Sequence, residues 1–454
     1  MRGECITNPA GPDHRACRLP TSYVVPRLAG GAVPRYTPAG SAGSSPGPGT
    51  KRVSSTVQGV SGGAFYVADD EAAGGADMSV PRRLREGLAR RVRHVTGPAP
   101  GLIFSLQAGM SRRPAVAYLG EGTGWVIDEI GRTLRREIGD RYLIHIGRDY
   151  RGYRGITLHF GSTPLYLKRR RFLKVHPSNR LLFTWTHGLP SNPDPNIQQQ
   201  ITLLPEGVAR AERVHVWTTT ARDFLLGRGV GPEKIVHIPL GVDAQTFRPP
   251  APAERAAARA RLGIPEGAIC IGSFQKDSPG WDNSSREMKW IKGPDVLADA
   301  LERLAGQYRL FVLLTSPARG YLISRLERAG IPYRHDVLAS PAELPPYYHA
   351  LDLYLITSRD EGGPMSLLEA MASGVPVVST RMGMPKDVIR HGENGMLAEI
   401  EDVDGLVESA CRLLDAPELA GRIAQAARET VRAYDWPLIA DKYARMLYNL
   451  APET

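Results

Sequence analysis

Residues 360–369 read DEGGPMSLLE, and residues 370–379 continue as AMASGVPVVS. The run LDLYLIT at residues 351–357 has the pattern of a buried β-strand. Pro364 suits the first turn of a helix, and Gly374 suits its end. The stretch therefore predicts a strand, a glycine turn, a short helix and then a second strand.

The turn-to-helix unit carries two carboxylates, Glu361 and Glu369, at the carboxyl end of a strand. Open α/β sheets bind ligands at this end, because loops and helix amino ends meet there in a crevice. The glycines let the backbone approach a ligand, and free amides at the helix start favour phosphate. Carboxylates only accept hydrogen bonds, so they suit the hydroxyls of a ribose or a sugar ring. The unit predicts a site for a nucleotide sugar.

Composition indicates a folded protein of two or three domains, since the chain has 454 residues of which 42% are hydrophobic. No apolar run approaches the roughly 20 residues that span a bilayer, and the start lacks the apolar core of a signal sequence. We therefore expect a cytoplasmic protein. Disulfides and a zinc site are not expected, because the four cysteines are scattered at Cys5, Cys17, Cys270 and Cys411.

Positive charge is concentrated in two runs of a chain whose net charge is +10. Residues 78–113 form a basic segment, in which residues 81–95 have helical spacing and a basic face. Residues 168–171, KRRR, with Lys174, form the second run. Both runs suit contact with anionic lipid at the inner membrane face, and the second run also suits contact with a phosphorylated acceptor. Both runs are equally typical of a solvated surface. Nucleic acid is disfavoured, because aromatic residues are not interleaved on a recognisable module.

The amino-terminal part predicts an extension followed by half of a Rossmann unit. Residues 1–77 are rich in Gly, Pro, Ser and Ala and are expected to be disordered, with Met78 as a candidate start. After the strand-like residues 114–119, a glycine loop that includes Gly122 leads into a helix at residues 125–138. The third glycine of a dinucleotide fingerprint is replaced by Trp125, which argues against an NAD-dependent oxidoreductase.

Alternating strands and helices predict parallel sheets on either side of a proline-rich linker. The boundaries expected from the pattern are a Rossmann-like domain at 114–248, a linker at 249–267, a second Rossmann-like domain at 268–434 and a final helix at 435–454. We therefore predict an α/β fold of two Rossmann-like domains facing a central cleft.

The motifs also resemble a known family. Seven residues separate Glu361 from Glu369, and with the Gly-Gly-Pro turn and the run EAMASGVPVV they resemble the E-x7-E signature of family-4 retaining glycosyltransferases, which have the GT-B fold. The likeness covers about residues 115–450 and is strongest at 292–397. It implies transfer of a sugar from a nucleotide-diphosphate sugar to a glycan, lipid-linked or small-molecule acceptor, without a metal or a further cofactor. It also implies that 114–248 is the acceptor domain, that 268–434 is the nucleotide-sugar-binding domain and that the helix at 435–454 crosses back to the first domain.

Site residues follow from the same resemblance. The implied catalytic residues are His187, Glu361 and Lys292. The implied donor-binding residues are Lys276, Gly362, Gly363, Pro364, Met365, Glu369 and Gly122.

The chain departs from the family pattern at two positions. Ser273 stands where the family has a diphosphate-binding Arg, so that Lys276 is the nearest cation, and Leu240 replaces an Asn that bonds between the domains. The missing Arg leaves an alternative open, a catalytically silent nucleotide-sugar-binding scaffold subunit of a glycan-assembly complex.

Overall fold

A computed structural model of the chain describes residues 100–124, 126–186 and 188–448, which belong to one compact unit. The predicted extension 1–77 and residues 78–99 of the basic segment lie outside the described residues, as do Trp125, His187 and residues 449–454. Within the described ranges, no helix is long and apolar enough to cross a membrane.

The amino-terminal lobe is a six-stranded parallel sheet in the order β2-β1-β3-β4-β5-β6. Its strands are β1 (Ala115–Leu119), β2 (Leu143–Gly147), β3 (Thr157–Phe160), β4 (Arg180–Trp185), β5 (Arg213–Val216) and β6 (Ile235–His237). Its helices are α1 (Pro100–Met110), α2 (Val126–Ile138), α3 (Thr163–Leu167), α4 (Pro195–Arg210) and α5 (Thr219–Gly227), with a 3-10 segment at Lys168–Lys174.

The carboxy-terminal lobe repeats this architecture in the order β12-β11-β10-β7-β8-β9, again with parallel pairing. Its strands are β7 (Ile269–Ser273), β8 (Leu310–Thr315), β9 (Tyr333–Asp336), β10 (Leu353–Ile356), β11 (Val377–Thr380) and β12 (Met396–Ala398). Its helices are α6 (Pro252–Arg261), α7 (Pro294–Ala305), α8 (Gly320–Ala329), α9 (Pro345–His349), α10 (Met365–Ala372), α11 (Gly383–Val388), α12 (Val403–Leu414) and α13 (Pro417–Val431).

The sequence pattern accounts for these elements. Strands such as β8 and β10 are buried along their whole length, because helices cover both faces of a parallel sheet. Helix α2 buries Ile130, Leu134 and Ile138, which share one face at a spacing of four residues. Two details differ from the sequence prediction. Helix α6 begins at Pro252, inside the stretch expected to be linker, and α10 begins at Met365, because Pro364 precedes it in extended backbone.

The last described segment, with α14 (Trp436–Lys442) and a π-helical turn at Tyr443–Tyr448, packs on the amino-terminal lobe. Arg141, in the turn after α2, forms an ion pair with Asp441 at 3.0 Å. The Tyr448 hydroxyl lies 3.1 Å from Nδ1 of His159, a buried residue of β3. The chain therefore returns to its first sheet after completing the second one.

Candidate functional site

An ion pair between Lys292 and Glu361 lies at the carboxyl end of β10. Lys292 closes a 3-10 turn, and Glu361 follows β10 in the glycine turn. Their Nζ and Oε2 atoms are 2.6 Å apart, with the side chains only 18% and 8% exposed. The Ser358 hydroxyl donates to the other oxygen of Glu361. Two of the predicted catalytic residues are therefore brought together.

The turn that carries Lys292 is fixed to the end of β10 by its own set of contacts. The Arg359 amide donates to the Ile291 carbonyl at 2.8 Å, while the Arg359 guanidinium donates twice to Asp295, at 2.9 and 2.6 Å. Gly293 has a left-handed backbone (φ 55°), and a Cβ there would come within 2.0 Å of the Thr357 carbonyl. Because of these contacts, Lys292 and Glu361 have little freedom to separate by backbone movement.

Two further lysines contribute positive charge to this region. Burial lowers the pKa of Lys276, whose Nζ lies 4.4 Å from the centroid of the Trp281 ring. Burial, then repulsion from Lys292, lowers the pKa of Lys289 to about 8, while Glu361 and Asp194 act in the opposite direction. The sequence prediction missed Lys289. The available signal was a third lysine in the long loop after β7, three residues before Lys292.

Glu369 lies apart from this ion pair, on α10. It is a buried carboxylate whose Oε2 accepts a hydrogen bond from the Tyr348 hydroxyl at 2.7 Å. Burial raises the pKa of Glu369 to about 7, and the bond from Tyr348 only partly offsets this. Within the described part of the chain Oε1 accepts no hydrogen bond, so one oxygen stays available to a ligand hydroxyl.

The glycine turn faces the amino-terminal lobe. A Cβ on Gly362 would lie 1.6 Å from the Thr186 carbonyl oxygen, and one on Gly363 would lie 2.7 Å from Cδ1 of Leu240. Sequence reasoning assigned these glycines to close approach of a ligand, whereas in the structure they allow close approach of the other lobe. Leu240, which stands where the family has Asn, is buried against Gly363 and makes an apolar contact there.

Two carboxylates that the sequence prediction did not assign to the site hold the lobes together. Asp360 accepts hydrogen bonds from the Asn192 side chain at 3.0 Å and from the Leu189 amide at 3.3 Å. Asp387 accepts one from the Thr219 amide at 2.8 Å, at the start of α5. Both residues lie at strand or helix ends of the carboxy-terminal lobe, so they position the glycine turn against the first sheet.

At the start of α10, Pro364 has extended backbone and no N–H group to donate. The first amides of the helix, at Met365 and Ser366, therefore face the turn without a partner from within the helix. The free amides that the sequence predicted at the helix start, where an anion can bind, are therefore present, but the helix begins one residue later than predicted.

The amides of the amino-terminal glycine loop are used inside its own lobe. The amides of Gly122 and Gly124 donate to the two oxygens of Asp128, at 2.9 and 2.7 Å. Arg148 occupies the space beside Gly122, where a Cβ would lie 2.0 Å from its Nε. A donor-binding role for Gly122 remains a prediction, as does the role of His187, which lies outside the described residues.

Comparisons with known proteins agree with this architecture. Residues 284–430 match the family model for glycosyl transferases group 1. A D-inositol 3-phosphate glycosyltransferase of Xylanimonas cellulosilytica is 32% identical over 227 residues, which are 48% of this chain and 51% of that protein. The lipopolysaccharide core biosynthesis mannosyltransferase LpsB of Rhizobium meliloti is 27% identical over 211 residues, 43% of this chain and 55% of that protein. The chain thus spans about half the length of these curated relatives.

Solved structures share the fold. Anabaena Alr3699/HepE in complex with UDP and glucose superposes with a TM-score of 0.61 at 17% identity, over 74% of this chain and 100% of that one. Sucrose-phosphate synthase from Thermosynechococcus elongatus gives 0.59 at 17% identity, over 75% and 99%. These likenesses confirm the predicted GT-B fold. Residues 284–430 thus resemble the glycosyl transferases group 1, within a chain whose two lobes have the GT-B fold.

Proposed function

We propose that the protein transfers a sugar, with retention of configuration, from a nucleotide-diphosphate sugar to a glycan, lipid-linked or small-molecule acceptor. The observation that carries the proposal is the Lys292–Glu361 pair at 2.6 Å, held at the carboxyl end of β10 beside a helix start. The names of the relatives support the reaction type, and the UDP-bound neighbours with the same fold support the donor class.

Lys292 would counter the charge of the leaving diphosphate. Cleavage of the sugar–phosphate bond develops negative charge, which a preorganised cation and helix-start amides stabilise. Glu361 then exchanges its lysine partner for hydroxyls of the transferred sugar, to which a carboxylate can only act as acceptor. In the absence of donor the two side chains neutralise one another, so that neither of these partly buried groups is left without a partner.

Lys289 and Lys276 supply the positive charge that the family obtains from an Arg after the first strand of this domain. Both have lowered pKa values, which is the response of a desolvated ammonium, and a bound diphosphate would raise them again. The silent-scaffold alternative was motivated by the missing Arg. That motive is weakened because Lys289 interacts electrostatically with both Lys292 and Lys276, so that other cations are present in the region where the Arg is missing.

Glu369 would bind the ribose through its free oxygen, with Tyr348 holding the other one. We assign acceptor binding to the amino-terminal lobe, and we keep the prediction from family resemblance that His187 contacts the reacting sugar or the acceptor. We further propose attack from the face that the leaving group vacates, as in family-4 retaining enzymes, with neither a metal nor a second cofactor. A cytoplasmic location at the inner membrane face, with contact through the basic segment 78–113, completes this proposal.

Thermal-shift screening of the full chain against UDP-, GDP- and ADP-sugars tests the proposal. A ligand at 100 times its dissociation constant should add about 2.7 kcal/mol to the free energy of unfolding. Lys292→Met should remove the shift, whereas Lys442→Met, at an exposed lysine of α14, should leave it unchanged. No shift with any of the three donors, or an equal shift in Lys292→Met, would contradict the assignment.

A further inference from the structure

A basic pocket lies on the amino-terminal lobe, away from the Lys292–Glu361 pair. It has a volume of about 210 Å³ and is lined by Asp149, Tyr150, Arg151, Arg169, Arg171 and Lys174. Asp149 is engaged by Arg151 at 2.6 Å. Among the described residues, neither Arg169 nor Lys174 forms an ion pair. The pocket therefore keeps a net positive charge that no carboxylate of the described chain neutralises.

The backbone of the segment Lys168–Lys174 holds the basic residues of the pocket in place. Arg169 and Arg170 have left-handed backbone, with φ values of 56° and 48°, a conformation that residues with a side chain rarely adopt. Phe172, which follows closely, is fully buried and packs on Tyr166 with 5.3 Å between ring centroids. Leu173 is instead 63% exposed between the pocket residues Arg171 and Lys174. The segment is thus anchored at one residue while it exposes cations and a leucine together.

Helix α1 contacts a loop of the pocket and has an exposed apolar side. The helix, PGLIFSLQAGM, contains no charged residue. Its exposed side includes Leu106 at 61% and Met110 at 81%, which share a face with Leu102 because they are spaced by four residues. The buried side packs against the loop that supplies Arg151 to the pocket: a Cβ on Gly101 would lie 2.4 Å from the Arg151 carbonyl.

We propose that this surface docks on an anionic phospholipid bilayer. The pocket receives a lipid phosphate, and the exposed side of α1, together with Leu173, enters the interface. A bilayer is negative at its surface and apolar beneath, so it suits both the cations and the uncharged apolar helix face, whereas the cations alone would not favour a bilayer over a soluble anion. Since α1 lies within 78–113, this proposal deepens the membrane contact included in the proposed function, but it does not depend on the proposed sugar transfer.

Co-sedimentation of the full chain with phosphatidylcholine vesicles, with and without phosphatidylglycerol, tests the proposal. Arg169→Gln with Lys174→Gln should weaken binding to the anionic vesicles by about 25-fold, at about fivefold for each charge. The matched control is Arg412→Gln with Arg422→Gln, two exposed arginines of α12 and α13 without ion pairs among the described residues, and it should bind as the parent does.

A second pair of variants tests the apolar part. Leu106→Gln with Met110→Gln should weaken vesicle binding at least tenfold, whereas Leu438→Gln with Met446→Gln, also exposed but on the carboxy-terminal segment, should not. Equal binding to neutral and anionic vesicles, or parental binding by either surface variant, would overturn the proposal. The proposal would also be overturned if the parent did not sediment with vesicles but was stabilised by inorganic phosphate, and if the Arg169/Lys174 variant lost this stabilisation. In that case the pocket would bind a soluble anion.

Discussion

Replacement of Gly362 by Ala should separate the two lobes at the site. The added Cβ would lie 1.6 Å from the Thr186 carbonyl oxygen. A carbon–oxygen contact needs about 3.3 Å, so this contact must lengthen by about 1.7 Å. The obstacle is backbone of β4 and its continuation, which cannot rotate away as the end of a side chain can. The lobes therefore have to open, and Glu361 moves away from the acceptor side.

The expected loss is large, because a misplacement of about 1 Å in a reacting constellation can cost about 100-fold in rate. We expect kcat to fall at least 100-fold in Gly362→Ala. Donor affinity should change less, because Lys292 and Glu369 belong to the same lobe as the donor. The free energy of unfolding should fall by about 1–3 kcal/mol from overpacking. Release of nucleoside diphosphate from the stabilising donor measures the rate, and urea unfolding measures the stability.

Gly363→Ala is the matched control. Its Cβ would meet Cδ1 of Leu240 at 2.7 Å, and a leucine side chain can shift. Its effect should be small and should disappear when Leu240→Ala is added. If Gly362→Ala retains a kcat similar to that of Gly363→Ala, the lobe contact seen here is not part of the working geometry, and the reasoning fails.

Three further predictions concern buried ionisable groups. The folded-state pKa of Glu369, about 7, exceeds its ordinary value of 4.5. The contribution of Glu369 to stability is therefore present at low pH and is lost as pH rises through 7. Relative to Glu369→Gln, the wild type should lose about 2–3 kcal/mol of unfolding free energy between pH 5 and 8 in urea titrations. The pH dependence expected for His215 has the opposite sign, because burial lowers its pKa to about 3. Relative to His215→Asn, the wild type should lose about 2 kcal/mol of unfolding free energy as pH falls from 7 to 5. No change in this difference with pH would refute the assignment of a buried neutral imidazole. Arg319 and Asp277 form a fully buried ion pair at 2.8 Å. Arg319→Met should therefore lower the unfolding free energy measured by chemical denaturation by about 3–5 kcal/mol, and adding Asp277→Asn should recover part of this loss. Equal losses in the single and double variants would contradict the pairing.

Much of the fold follows from local pattern. Strands such as β8 and β10 were predictable because buried parallel strands form uninterrupted apolar runs with turn residues at their ends. The carboxylate unit around Glu361 was predictable because its glycines, proline and helix formers lie within twenty residues. That Lys292 and Glu361 belong to one site was expected only through resemblance, and their direct contact was not predicted, since 68 residues separate the two positions.

The remainder of the site depends on contacts between distant segments. The lobe contact at Gly362 was missed, because nothing near that glycine in the sequence indicates Thr186 as its neighbour. The two hydrogen bonds from Arg359 to Asp295 fix the turn that carries Lys292. In the sequence, however, each of these two residues is typical of a solvated surface. Lys289 was missed because its importance comes from burial near other lysines, which charge patterning does not reveal.

The central claim is that Lys292 and its neighbouring lysines bind the diphosphate of a nucleotide sugar. A crystal structure with the nucleoside diphosphate that gives the largest thermal shift tests it most directly. We predict a phosphate oxygen within about 3.2 Å of Lys292 Nζ, the Glu361 ion pair broken or shared, and a second contact from Lys289 or Lys276. A diphosphate bound elsewhere, with the 2.6 Å Lys292–Glu361 pair intact, would contradict it.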